Sequence, residues 1–164
     1  MPLPASHRGT PVPLLLKSAA LVALLDGILA TMIYVVVLQV ITVTQLFQSI
    51  AKAVLGQAAY DGGLGTEAVG LVMHFSVALT WSIIYWLLWQ RWAGLRRFRD
   101  RWGPIVVGLF YGPLVWVIMD LVVMPFTHNK PTPVSAGMFW VMLAGHVVSV
   151  GIPIAVVIHP PVDS

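Results

Sequence analysis

The chain contains no cysteine. That absence removes disulfides, thiolate metal sites, iron–sulfur clusters and thiol redox chemistry, and with them the small four-helix membrane enzymes that generate disulfides. Charge is nearly as scarce. Asp, Glu, Lys and Arg make up 9% of the 164 residues, against about 25% in an ordinary soluble domain, so a water-soluble fold is excluded. The few basic residues form no zinc-finger spacing and no basic helical stripe, which leaves nucleic-acid binding without support. Neither His-Glu-x-x-His nor Gly-x-Ser-x-Gly occurs, so the best-marked intramembrane hydrolase chemistries are missing and no enzymatic activity is read from the chain.

Hydrophobic residues make up 59% of the sequence, and they fall in long uncharged runs. Asp26 is the only charge between Lys17 and Lys52, Asp61 and Glu67 are the only ones between Lys52 and Arg91, and none occurs from Pro131 to Val162. A membrane span needs about 20 mostly apolar residues. Four segments qualify: residues 14–44, 66–90, 103–126 and 136–158. The first runs on through Tyr34 to Val43 with no small-x-small cleavage site, so it reads as a retained helix rather than a secretory signal. The fold expected is all-α and polytopic, with four transmembrane helices in one domain.

Basic residues give the direction. Arg8 and Lys17 precede the first span, and Arg91, Arg96, Arg97, Arg99 and Arg101 lie between the second and third, while Lys52 and Lys130 alone fall on the opposite side. This bias puts both termini and the arginine segment in the cytoplasm. Trp92 and Trp102 flank that segment as interfacial anchors, and its arginines face anionic lipid headgroups or a docking partner.

The first external connection carries a second helix. In residues 44–59, Phe47, Ile50, Val54 and Ala58 recur at helical spacing opposite Gln45, Gln48, Ser49 and Lys52, as in an amphipathic helix lying in the membrane interface. Asp61-Gly62-Gly63 turns the chain into the second span, where Thr66 can cap; Pro131 and Pro133 make the third connection extended. A weak internal similarity aligns the segments around His74 and His146, compatible with a 2+2 helix duplication.

Helices in lipid gain nothing from hydrophobic association, so small residues should mark their contacts. Gly108 and Gly112 form a GxxxG motif in the third span. Ala23 and Gly27 repeat that spacing in the first, Gly70 and Ala78 flank His74 in the second, and Gly145 and Pro153 lie on the fourth. Pro113 and Pro153 each delete a helical hydrogen bond and permit a kink.

Asp26, His74, Asp120 and His146 fall inside the spans. An acid at a helix centre costs about 2.5–3.5 kcal/mol on insertion scales, so these groups should face protein or water. At about 1.5 Å per residue the two histidines lie at similar depth, roughly 12 and 15 Å from the external ends of their spans. With Tyr34, Tyr85 and Tyr111 they form a candidate buried polar cluster. Its simplest role is a set of interhelical hydrogen bonds. The alternatives are a proton- or cation-coupled transport path through the same residues, and a bis-histidine haem site with His74 and His146 as axial ligands. His7, His128 and His159 fall in connections or at the ends.

Read in order, Asp26-Gly27, Gln48-Ser49-Ile50-Ala51 with Leu55-Gly56, Gly62-Gly63, Gly70-Leu71 with His74-Phe75, Tyr85, Tyr111-Gly112, Met119-Asp120 with Pro125, and His146 with Gly151 and Pro153 resemble a family of uncharacterised small four-span bacterial inner-membrane proteins. The resemblance implies a multi-pass protein of the bacterial cytoplasmic membrane; it attaches no activity and says nothing about a cofactor, so the haem alternative rests on the two histidines alone. It also implies Asn in relatives at the place of Asp120, which favours hydrogen bonding over proton relay there. Together these features lead to the expectation of a non-catalytic accessory or structural subunit. Its partners would be membrane lipids and other integral subunits or further copies of itself.

Overall fold

The computed structural model describes residues 11–129 and 135–158. His7, Arg8, Lys130, Pro131, Pro133 and His159 lie outside them. Helix α1 (Val12–Ala30) continues through a wide π-helical turn, Thr31–Val37. Then follow α2 (Val43–Leu55), α3 (Gly63–Arg91) and α4 (Ala93–Ile118), the last extended by a second wide turn at Met119–Val123. Helix α5 (Ala136–His146) passes through a third wide turn, Val147–Gly151, into α6 (Ile152–Val157). No strand occurs among the described residues. Four helical stretches, Val12–Val37, Gly63–Arg91, Ala93–Phe126 and Ala136–Val157, are long and apolar enough to cross a membrane. The protein is an all-α, multi-pass integral membrane protein.

Three boundaries differ from those expected. The first span ends at Val37 rather than residue 44, because Gln39 adopts φ 53°, a left-handed conformation that a helix does not continue through. Thr42 then starts α2 with a reciprocal cap. Its hydroxyl accepts from the Gln45 N–H at 3.2 Å, and Gln45 Oε1 accepts from the Thr42 N–H at 2.9 Å. The second span begins at Gly63, and the Thr66 hydroxyl donates to Gly63 O at 3.1 Å instead of capping the helix. The arginine segment is helical too. It forms the first limb of α4, which is bent at Gly103, where φ is 81°. Pro104 opens the membrane-crossing limb, while Pro113 sits in continuous helix.

Two of the wide turns precede a proline. Pro153 has no N–H for the carbonyl of Ser149, and Pro125 has none for that of Leu121. Upstream of each, the ladder skips one residue: Ile152 N–H donates to Val147 O, and Met124 N–H to Met119 O. The turn at Thr31–Val37 has no proline beside it.

The glycines fix the helix contacts. A Cβ on Gly112 would strike the backbone of His146 and Val147, and one on Gly108 would lie 2.6 Å from Ile152 Cα. From the other side, Gly151 has no room for a Cβ between Gly108 and Gly112. Spans three and four thus touch backbone to backbone. Gly145 faces Leu29 of α1, while Gly70 is pressed against the Phe47 backbone, so it seats α2 rather than another span. Leu15, Ala19, Val22, Ala78, Trp81, Tyr85, Val107, Tyr111, Val115, Val150 and Ile154 fill the space between the spans.

Helix α2 packs against α3 through a face that periodicity does not single out. Leu46, Gln48 and Ala51 are buried against α3, and Val54 is 65% exposed. Gln48, only 4% exposed, donates from Nε2 to Gly63 O at 3.3 Å and to Thr66 Oγ1 at 3.4 Å. These bonds tie the buried face of α2 to the turn into α3. The far end of α2 is held by residues 127–129. The His128 N–H donates to Ala53 O at 3.1 Å, and Asn129 Nδ2 to Ser49 O at 2.7 Å.

A leucine at Gly112 should separate spans three and four and destabilise the protein by at least the ~1–3 kcal/mol typical of overpacking. Thermal unfolding in detergent measures this. Gly137→Ala, at a site with no neighbour within 4 Å, should melt as the wild type does; equal melting of Gly112→Leu and wild type would contradict the backbone contact.

Candidate functional site

The polar side chains within the spans are the chemistry-bearing groups of this protein, and most of them can be followed to a partner. Asp26 lies on α1, half-buried, and its Oδ1 accepts from the Ser149 hydroxyl at 2.8 Å. Ser149 belongs to the wide turn of span four. That turn carries the hydroxyl towards α1 while Gly151 faces α4, so the break imposed by Pro153 serves two contacts. His74, in unbroken helix α3, places Nε2 3.0 Å from Ala23 O of α1. Gly27, one turn further along α1, leaves space for the ring: a Cβ there would be 3.7 Å from His74 Nε2.

His146 ends α5 and turns back on its own helix, with Nδ1 2.9 Å from Met142 O. Its ring lies 6.5 Å from that of Trp116, which packs edge-on against Phe139. The Tyr34 hydroxyl reaches across to Met142 Sδ at 3.9 Å, a weak bond between the first and fourth spans. Tyr111 donates to Trp81 O at 2.8 Å, tying α4 to α3. Tyr85 packs edge-on against Tyr111 with ring centroids 5.0 Å apart, and its hydroxyl is buried without a hydrogen-bond partner. Asp120 lies half-buried in the wide turn after α4 and makes no hydrogen bond among the described residues.

No hydrogen bond joins two of these seven residues. They are spread along the helix seams, bonding mainly to backbone carbonyls or to a serine. Most of these bonds cross between helices, and an unmet polar group in hydrocarbon costs several kcal/mol. His74 answers to α1 whereas His146 bonds within α5 and packs beside Trp116, and the cleft of about 610 Å³ is lined by His74 and not by His146. Among the described residues no group of three or more His, Asp or Glu side chains could hold a metal ion.

The sequence reading passed over one pair. Ser18 and Ser82, both fully buried, hydrogen-bond at 2.9 Å between α1 and α3. Neither serine stands out in sequence, because such a residue can satisfy itself on its own helix, as Ser76 does on Val72 O.

The arginine limb also acts on its own protein. Arg96 Nη1 donates to Trp89 O at 2.8 Å and Gln90 O at 3.2 Å, satisfying carbonyls at the end of α3. Arg99 stacks over Trp89 at 5.1 Å and Arg101 over Trp102 at 5.3 Å. Arg91, Arg97 and Trp92 are exposed.

The comparisons with protein-family models, curated proteins and solved structures found no match.

Removing either side of the Asp26–Ser149 bond should cost a similar, modest amount. Asp26→Asn keeps an acceptor and should lose least, whereas Asp26→Ala and Ser149→Ala should be non-additive in a double-mutant cycle, with a coupling of about 0.6–1.7 kcal/mol. Zero coupling in detergent unfolding would show that the two residues do not support each other.

Proposed function

We propose that this protein is a non-catalytic accessory subunit of the bacterial inner membrane that binds other integral subunits through its apolar helix surface. The observation that supports this reading is the use made of the intramembrane polar groups. Asp26, His74, His146 and Tyr111 bond to a serine or to backbone carbonyls of this chain. A transport path needs polar groups linked to one another or to water across the bilayer; here the bonds run singly along helix seams, as in a scaffold. Large apolar residues at the outer ends of the spans suit an apolar partner: Phe126 is 89% exposed and Leu64 83%. The resemblance to small four-span inner-membrane proteins supports the same location.

The charge bias orients the protein with both termini and the arginine limb of α4 in the cytoplasm, and with α2 on the opposite side. A chain without cysteine is well suited to checking this. Single cysteines at Gln57 and Gln90 should react with a membrane-impermeant thiol reagent on opposite sides of the membrane, and labelling of both from the same side would refute the orientation.

Purification from native membranes in a mild detergent, followed by mass spectrometry, tests the subunit assignment. Defined integral proteins should co-elute in fixed ratio. Asp26→Asn and His74→Ala should lower the yield of that complex without changing its chemistry. A protein that elutes alone, or one whose His74→Ala form folds normally but loses a pH-dependent flux, would overturn the assignment.

A further inference from the structure

A cleft of about 480 Å³ opens between the cytoplasmic part of α3 and the two limbs of α4, within the range of about 300–1,000 Å³ usual for small-molecule sites. Leu88 of α3, Leu95 and Phe98 of the arginine limb, and Val107 and Leu114 of the membrane limb give it apolar walls, and Tyr85 stands among them. From the bend at Gly103 to Leu114 the membrane limb runs about 16 Å. That is close to one leaflet's share of a hydrocarbon core about 30 Å thick.

One residue of its wall, Tyr85, and one residue of the adjoining arginine limb, Arg99, carry donors without an acceptor. The Tyr85 side chain is 0% exposed and its hydroxyl is unpartnered; Arg99 Nε is likewise buried without a hydrogen bond. Arg99 follows Leu95 by one helical turn and stacks over Trp89, which lies one turn beyond Tyr85 on α3. Two neighbouring donors cannot satisfy each other, and buried polar groups in native proteins are almost always satisfied. What is lacking is an oxygen acceptor, preferably anionic. The limb that carries Arg99 is net positive, with Arg96, Arg97 and Arg101 against Asp100 alone. The larger cleft, about 610 Å³ between α1 and α3, has no such demand, since its polar lining residues His74 and Thr31 are bonded to Ala23 O and Gly27 O.

We propose that the cleft between α3 and α4 binds one anionic phospholipid, with an acyl chain along Leu88, Val107 and Leu114 and with Arg99 and Tyr85 donating to its phosphate and ester oxygens. Arg99 lies on the limb before the bend at Gly103, and the apolar walls run inward from Leu88 and Val107 to Leu114. The proposal does not depend on the accessory role, since a lipid can hold the arginine limb against the bundle whatever else the protein binds.

Native mass spectrometry of the full-length protein, with phosphatidylglycerol or phosphatidylcholine of the same chain length added, tests this. One phosphatidylglycerol per chain should be retained about tenfold more strongly than phosphatidylcholine, as expected for charge-assisted hydrogen bonds. Arg99→Gln should abolish that preference, and Tyr85→Phe should weaken retention several-fold. Arg97→Gln, which removes an exposed charge of the same limb, should leave it unchanged. Glycerol phosphate should not displace the lipid, because it lacks the chain, and Leu114→Trp should block binding by filling the trough. Melting without added lipid supplies the folding control: Tyr85→Phe deletes an unsatisfied donor and should melt no lower than the wild type. Equal retention of both lipids, equal effects of Arg97→Gln and Arg99→Gln, or displacement by glycerol phosphate would each overturn the proposal.

Discussion

Spans three and four lie backbone to backbone at Gly108, Gly112 and Gly151, and much of the remaining structure depends on that approach. In water, burying leucines would drive two such helices together; in lipid that incentive is gone, and contact rests on close packing and hydrogen bonds. A glycine seam supplies the packing only if the facing helix presents bare backbone at the same height. Pro153 supplies that condition. By denying Ser149 O its partner, it opens the helix into a wide turn whose Gly151 fits between the two glycines of α4. The same turn aims the Ser149 hydroxyl at Asp26. One proline and three glycines thus couple the third span to the fourth and the fourth to the first.

The remaining seams use other means. Span one meets span two through the Ser18–Ser82 bond and through His74 on Ala23 O, and span two meets span three through Tyr111 on Trp81 O. These bonds sit at different heights, so a sliding motion of one helix past its neighbour would break them. A hydrogen bond between membrane helices is worth only about 0.6 kcal/mol on average; spread over several seams, such bonds serve register more than raw stability. The ionisable residues are therefore explained by architecture before any chemistry is assigned to them. Asp120, which bonds to no described residue, is the exception.

Much of this was legible in the sequence, and the gaps have physical causes. Span number follows from charge-free runs, because the bilayer punishes charge at every residue of a helix. The GxxxG of Gly108 and Gly112 is local and visible; its counterpart Gly151 is not, since only the three-dimensional path of span four selects it. Thr42-x-x-Gln45 carries a capping signature, but it lies inside an apolar run that reads as one long helix through residue 44. Gln48 was assigned to the polar face of α2 by periodicity alone. Its burial depends on a carbonyl, Gly63 O, fifteen residues away. The polar residues of the spans were identifiable one by one. That they bond singly to the backbone, rather than to each other, depends on helix rotation, which a nearly uniform apolar helix such as α1 does not encode.

The two ends of the bundle are finished differently. On the side of α2, the polar groups are closed: Gln48 is bonded at the turn into α3, and the carbonyls of Ser49 and Ala53 take Asn129 and the His128 N–H. A short amphipathic helix gains much from such ties, because isolated helices of this length are marginal. On the arginine side, the limb before Gly103 is tied to α3 by Arg96, yet Arg99 of that limb and Tyr85 in the wall of the adjoining apolar cleft keep donors without acceptors. An end that satisfies its own polar groups has no chemical need of a ligand. An end that leaves buried donors unmet, on a limb of net positive charge, offers them to an anionic oxygen; that asymmetry puts the molecule's open chemistry at the limb of α4 rather than among the acids and histidines of its centre.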